Sequence, residues 1–233
     1  MFERGETMSD GRVIRGVLFS DERVAQLKKQ GLTGEFLELH LSYLHLFHQY
    51  SFANGCYDAY IQLLVGRNKI RYSSDFLNII VQSLIDSSVI SIANLIDKRL
   101  NNLNLYSLLK DIEIKRELFM NHRNIPKIVQ ECKKELSNEE AQIHFGKIKK
   151  HRNKVVAHKD FKKPDGLSAF TITQFTVTTP RKALEYLEPI VDRLHNLFFR
   201  KYAKNDQYYG NAGKETILIL ELFNKLQDQR TDI

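Results

Sequence analysis

Ser88-Val89-Ile90-Ser91-Ile92-Ala93-Asn94-Leu95-Ile96-Asp97 is the stretch on which the fold turns. Val89, Ile92 and Ile96 recur at steps of three and four, and Phe76, Ile80 and Leu84 carry the same stripe backwards. That is the period of one helix face, not the alternation of a strand. This is also the most apolar helical pattern in the chain, so a helix over Tyr72 to Ile96 is expected at the centre of a bundle.

The flanking sequence repeats the pattern. Upstream, Phe36, Leu37, Leu41, Leu44, Phe47 and Tyr50 predict a helix from Glu35 to about Gly66, with an irregularity at Asn54-Gly55. Asp21 to Lys29 predicts a shorter helix ended by Gly31 and Gly34, and the first twenty residues, polar and glycine-containing, read as a tail. Downstream, Asn104 opens a helix carrying Leu105, Leu108, Leu109 and Ile112, and Pro126 marks a further start. Ser137-Asn138-Glu139-Glu140 reads as a capping box in which the serine hydroxyl accepts from a first-turn amide and Glu140 reaches back. Residues 168–178 alternate enough for a short extended segment, and Thr179-Pro180 then starts a helix with Leu184, Leu187, Ile190, Val191, Leu194 and Leu197. The domain reading is a polar tail over 1–20, an all-α helical bundle over 21–205, and a C-terminal helix over 206–233 packed on it.

Composition agrees with an all-α chain. The 233 residues are 42% hydrophobic and 27% charged, and only 4 Pro and 11 Gly leave too few turn residues for a β-sandwich. Cys56 and Cys132 stand far apart without a Cys-x-x-Cys pattern, which excludes a zinc knuckle or a disulfide framework built from them. The start at Met1-Phe2-Glu3-Arg4 lacks the charged-then-apolar order of a secretory signal, and no run of about 20 apolar residues is present to span a bilayer. A cytoplasmic protein without a membrane partner is expected.

The formal charge of +7 is concentrated. Between positions 147 and 163, eight lysines and arginines face Asp160 alone, so the rest of the chain is close to neutral. A local excess of positive charge gathers polyanions and points to a phosphate-rich partner. Lys147, Lys150, Lys154 and His158 follow steps of three, four and four, making one basic face that ends in a histidine. The apolar stripe of the same helix, Ala141, Phe145 and Ile148, continues to Arg152 and Val155. An arginine there needs a carboxylate such as Asp97, a phosphate, or a polar cleft for its head. His144, His151 and His158 are spaced by seven, a rise of roughly 10.5 Å, too far to share a metal ion. His45 and His48 fit aromatic packing rather than ligation. No metal and no cofactor is expected. An imidazole titrating near about 6.5 can give or take a proton at neutral pH, which makes His158 the candidate acid or base. Arg152 can stabilise extra charge on a phosphate oxygen, and Asn153 can orient the histidine or hold a phosphate oxygen.

Arg152-Asn153-Lys154-Val155-Val156-Ala157-His158, an arginine followed by a polar residue and then a histidine after five intervening positions, resembles the signature of the HEPN family. Continued through Lys159-Asp160, it is most similar to the abortive-infection, AbiU-like branch. The stretch from Ser88 to Asp97, followed by Leu105-Tyr106-Ser107-Leu108-Leu109, is similar to the central helix and next helix of that branch. Together these likenesses cover about residues 83–160. The resemblance implies an all-α bundle, a homodimer and, in many relatives, a metal-independent endoribonuclease of a toxin-antitoxin or phage-defence system. Other relatives are non-catalytic binding modules, so a helical adaptor for nucleic acid or protein is the alternative. Some relatives carry a modifiable tyrosine two positions after the histidine; Asp160 stands there in this chain. The expected site is therefore catalytic Arg152, Asn153 and His158, with Lys147, Lys150, Lys154 and Lys159 binding RNA. An antitoxin protein encoded nearby is an expected partner.

Overall fold

The computed structural model describes residues 12–14, 17–66, 75–153 and 175–199. Among them the chain forms seven α-helices and one small hairpin: α1 (Asp21–Lys29), α2 (Gly34–Gly66), α3 (Asp75–Leu95), α4 (Leu105–Ile114), α5 (Ile125–Leu136), α6 (Glu139–His151) and α7 (Thr179–Phe198). Two short 3₁₀ turns, Arg116–Leu118 and His122–Asn124, join α4 to α5. The architecture is an all-α bundle built round the α2–α3 pair, with α6 and α7 packed against α3 and α4 and α5 against the other helices. One continuous core runs through it, with Leu37, Leu41, Ile92, Ile96, Leu108, Leu109, Ile125, Ile148, Leu187 and Ile190 fully enclosed.

Helix α3 earns its central place only in its C-terminal half. Ile85, Ser88, Val89, Ile92, Ala93 and Leu95 are buried, whereas Ile79 near the other end is 63% exposed. By length and composition alone Asn78–Leu95 is apolar enough to cross a membrane, a test that the core helix of a bundle also passes.

Three local expectations are corrected. The stretch read as a tail contains an antiparallel hairpin, Arg12–Ile14 with Val17–Phe19, and Phe19 is buried in the core. Its Phe19 ring meets His45 edge-on at 6.2 Å, so an apolar anchor at the end of a polar stretch fastens that stretch down. The break expected at Asn54-Gly55 is absent, and α2 runs unbroken for 33 residues. Ala53, Cys56 and Tyr57 are all buried there, and the Ser88 hydroxyl donates to the Ala53 carbonyl at 2.9 Å, so packing against α3 outweighs the local preference for a turn. The cap of α6 is Asn138 rather than Ser137: its side-chain oxygen accepts from the Glu140 and Ala141 amides at 3.0 and 3.2 Å. Ser137 instead ends α5, its hydroxyl donating back to the Lys133 carbonyl, and Glu140 accepts from Tyr186 on α7.

Other starts fall within a residue of their signals. Asn104 caps α4 in a reciprocal box with Ser107, Pro126 lies in the first turn of α5, and α7 begins at Thr179 with Pro180 behind it. Gly31 and Gly34 take φ of +84° and +56°, the left-handed region that turns the chain from α1 into α2. Of the segment expected to be extended, residues 168–174 lie outside the described residues, as does the helix expected over 206–233.

Candidate functional site

The site is assembled where the C-terminal end of α3 meets the C-terminal end of α6. Ala141, Phe145 and Ile148 hold α6 to the core, as their spacing requires. The next buried position is His151, not Arg152. His151 is 0% exposed and stacks on Phe175, centroids 4.0 Å apart, while Arg152 is half-buried at the rim. Residues 152 and 153 continue the helix in wider, π-type winding. Burial lowers the His151 pKa to about 4, so this imidazole is neutral at physiological pH and serves packing.

Arg152 has a defined posture. Its Nε donates to the Asn153 carboxamide oxygen at 3.0 Å, the guanidinium's only hydrogen bond among the described residues. Among the described residues the terminal N–H groups meet no acceptor. Asp97, the carboxylate that sequence reasoning offered as its partner, is engaged elsewhere: Arg99 Nε and Nη2 donate to Asp97 Oδ2 at 2.9 and 2.5 Å, and the Arg99 amide to Oδ1 at 3.1 Å. The Arg99 side-chain hydrogen bonds hold the Asp97 carboxyl below its usual pKa range; burial opposes this, and the Arg99 amide and the charges of Arg99 and Arg152 add to it. Asp97 therefore feels Arg152 as a neighbouring charge without pairing with it.

The loop that carries Arg99 is fixed by the same residue that caps α4. Buried Asn104 donates from Nδ2 to the Arg99 carbonyl at 2.6 Å and to the Asn102 carbonyl at 3.1 Å, while its Oδ1 accepts from the Ser107 amide at 2.9 Å. Lys98 beside it lies with Nζ 5.9 Å from the Tyr106 ring centre, within cation–π range. Across from this loop, Lys149 is half-buried, and its pKa is lowered first by burial and then by Lys98 and Arg152, with Asp97 pulling the other way. Among the described residues Lys98, Arg99, Lys149 and Arg152 thus share one corner with Asp97 between them.

The remaining expected residues divide. Lys150 is exposed on the back of α6 and Lys147 lies on the α7 side, where its charge and that of Lys182 help burial to lower the pKa of His144. The His144 ring in turn stacks on Tyr186, centroids 6.1 Å apart. On regular helical winding Lys150 and Lys147 stand roughly 160° and 140° from Arg152, whereas Lys149 stands about 60° away. Lys154, His158 and Lys159 lie outside the described residues. Sequence reading passed over Lys98, Arg99 and Lys149. Lys98 and Arg99 directly follow the central-helix stretch and Lys149 is three residues before Arg152, but only the fold brings the two groups together. His45 packs as expected, meeting Phe19 and hydrogen-bonding Gln49 at 2.9 Å, whereas His48 is exposed. No group of three or more His, Cys, Asp or Glu side chains suited to a metal occurs among the described residues.

The family model HEPN_AbiU2, described as AbiU2, matches residues 36–215, more than half of the chain, and the chain belongs to that family. It is on that ground an abortive-infection protein of HEPN type. No curated protein and no solved structure matches it.

Proposed function

We propose that the protein is a metal-independent endoribonuclease of the toxin or phage-defence type, acting as a homodimer. The observation that carries this reading is the posture of Arg152: Asn153 holds Nε, and the terminal guanidinium N–H groups meet no acceptor among the described residues, at the head of an Arg-Asn…His motif in a HEPN-family chain. A guanidinium so placed matches the non-bridging oxygens of a phosphate.

In this reaction the 2′-hydroxyl of one nucleotide loses its proton to a base and attacks the adjacent phosphorus in line. The 5′-oxygen of the next nucleotide leaves and is protonated by an acid, yielding a 2′,3′-cyclic phosphate and a 5′-hydroxyl. Base and acid must stand on opposite sides of the phosphorus, which one histidine cannot do. A two-fold dimer supplies a second copy of every residue near its axis, so one His158 takes the 2′ proton while the partner subunit's His158 protonates the leaving oxygen. Arg152 stabilises the charge that gathers on the pentacoordinate phosphorane. The positive charge concentrated over residues 147–163, Lys154 and Lys159 included, raises the local concentration of the polyanion near Arg152.

The test is incubation of labelled single-stranded RNA with purified protein and a chelator, wild type beside Arg152→Ala and His158→Ala. Cleavage to cyclic-phosphate ends by wild type, lost in both variants while RNA is still bound, is the expected result. Equal cleavage by His158→Ala overturns the mechanism. The four-cation corner serves a non-catalytic nucleic-acid adaptor equally well; salt-sensitive binding with no cleavage by any form of the protein selects that reading.

A further inference from the structure

We infer that RNA approaching Arg152 is held across the ends of α3 and α6, by Lys98, Arg99 and Lys149, rather than along the outer lysines of α6. The inference rests on the nucleic-acid reading above and names the contacts of that same site.

Three observations carry it. Lys98 and Arg99 sit on a loop that Asn104 fastens by two side-chain hydrogen bonds to carbonyls, so their positions are set by a buried residue rather than by solvent. Lys149 and Arg152 flank the end of α6 on the side that faces this loop, about 60° apart, within the spacing at which helical side chains reach a common ligand. Among the described residues the carboxylate beside these four cations is Asp97, which already accepts three hydrogen bonds from Arg99. Cations gathered on one corner favour a ligand that carries several negative charges, and successive phosphates of one RNA strand are such a ligand. Lys147 and Lys150, by contrast, look away from Arg152, and Lys147 shares its side of the helix with Glu140, Lys182 and Glu185, where the charges are mixed.

Asp97 has a role in this arrangement. By accepting two hydrogen bonds from the Arg99 guanidinium and a third from its amide, it holds that side chain in place, and its negative charge offsets part of the positive charge of the corner when no RNA is present.

The experiment is fluorescence anisotropy of a labelled single-stranded RNA, in chelator, over a salt series, with full-length wild type, Lys98→Gln/Lys149→Gln and Lys147→Gln/Lys150→Gln, each checked for an unchanged melting temperature. Both double variants remove two charges, so bulk electrostatics alone weakens them equally. The expected result is a loss of about tenfold or more for Lys98→Gln/Lys149→Gln, with its salt slope reduced by about 2, and a loss of threefold or less for the outer pair. Equal losses, or a larger loss for the outer pair, overturn the inference. Cleavage is followed in parallel with wild type: asymmetric binding without cleavage removes the nuclease reading and leaves this path standing, and cleavage without the asymmetry does the reverse. Absence of any RNA binding by wild type overturns both. Arg99→Gln serves as a further check, and binding that equals wild type at every salt concentration counts against the path.

Discussion

Two corners of the bundle hold basic side chains under opposite regimes. Between α2 and α7, His40 is only 3% exposed in a box of Phe36, Tyr43, Phe198 and Phe199, its ring 4.9 Å from that of Phe199. Neither ring nitrogen has a hydrogen-bond partner there among the described residues, and burial, aided by the charge of Arg23, lowers the pKa to about 4. At the junction of α3 and α6, Arg152 and Lys149 stay half-buried at the rim beside Asp97. The boundary is sharp enough to pass between neighbours, since His151 belongs to the first regime and Arg152 to the second. Histidine can surrender its proton and pack as an aromatic; arginine cannot, so the same depth that accepts one expels the other.

The largest effect that would break this comparison is on chemistry. Arg152→Ala is expected to lower the cleavage rate about 10²- to 10³-fold with little change in melting temperature, as for removal of a group that stabilises transition-state charge. His40→Phe should leave the rate nearly unchanged. Comparable rate losses from the two substitutions would mean that the aromatic box is part of the site.

Acid should act on the box next. For His40 and His151 the folded-state pKa of about 4 lies below the unfolded value, so the unfolded chain binds more protons as pH falls from about 6.5 towards 4. The stability conferred by keeping each ring neutral is complete above about pH 6.5 and is lost as pH falls through that window, by up to about 3 kcal/mol per histidine. Urea midpoints at pH 7, 6, 5 and 4.5 read this loss directly. His40→Phe, with no group left to titrate, should flatten the slope by about half.

A smaller change sharpens the other corner. Asn153→Ala removes the acceptor that orients Arg152 Nε and is expected to lower kcat about tenfold with KM little altered, whereas Asn153→Asp, which keeps an oxygen in place, should recover most of it. A purely structural Asn153 would show no such recovery. Smallest of all, Asn138→Ala deletes the cap of α6 and should cost about 1 kcal/mol in denaturant unfolding without changing RNA affinity beyond that of a slightly frayed helix.

Much of the bundle was legible because apolar spacing and caps act locally. The stripes of Val89, Ile92 and Ile96 and of Ala141, Phe145 and Ile148 are buried as their periods require, and Asn104 and Pro126 mark helix starts. The local signals failed where a distant partner decided. Asn54-Gly55 stays helical because α3 packs on it, and Phe19 turns a polar stretch into a hairpin because the core accepts its ring. At the site, Arg152 and Asn153 could be singled out as chemistry, but which of them served the other could not, since that depends on a 3.0 Å contact made possible by the π-type end of α6.

The sequence by itself determined an all-α chain, a basic segment over 147–163, and an Arg-Asn…His motif following a capped helix, because residue period, charge and spacing are properties of the covalent chain. Tertiary structure alone decided that Asp97 and Lys98 stand beside Lys149 and Arg152, and that His151 is neutral. Those outcomes depend on which helix ends meet and on how much water remains between them, and neither is encoded in any single segment.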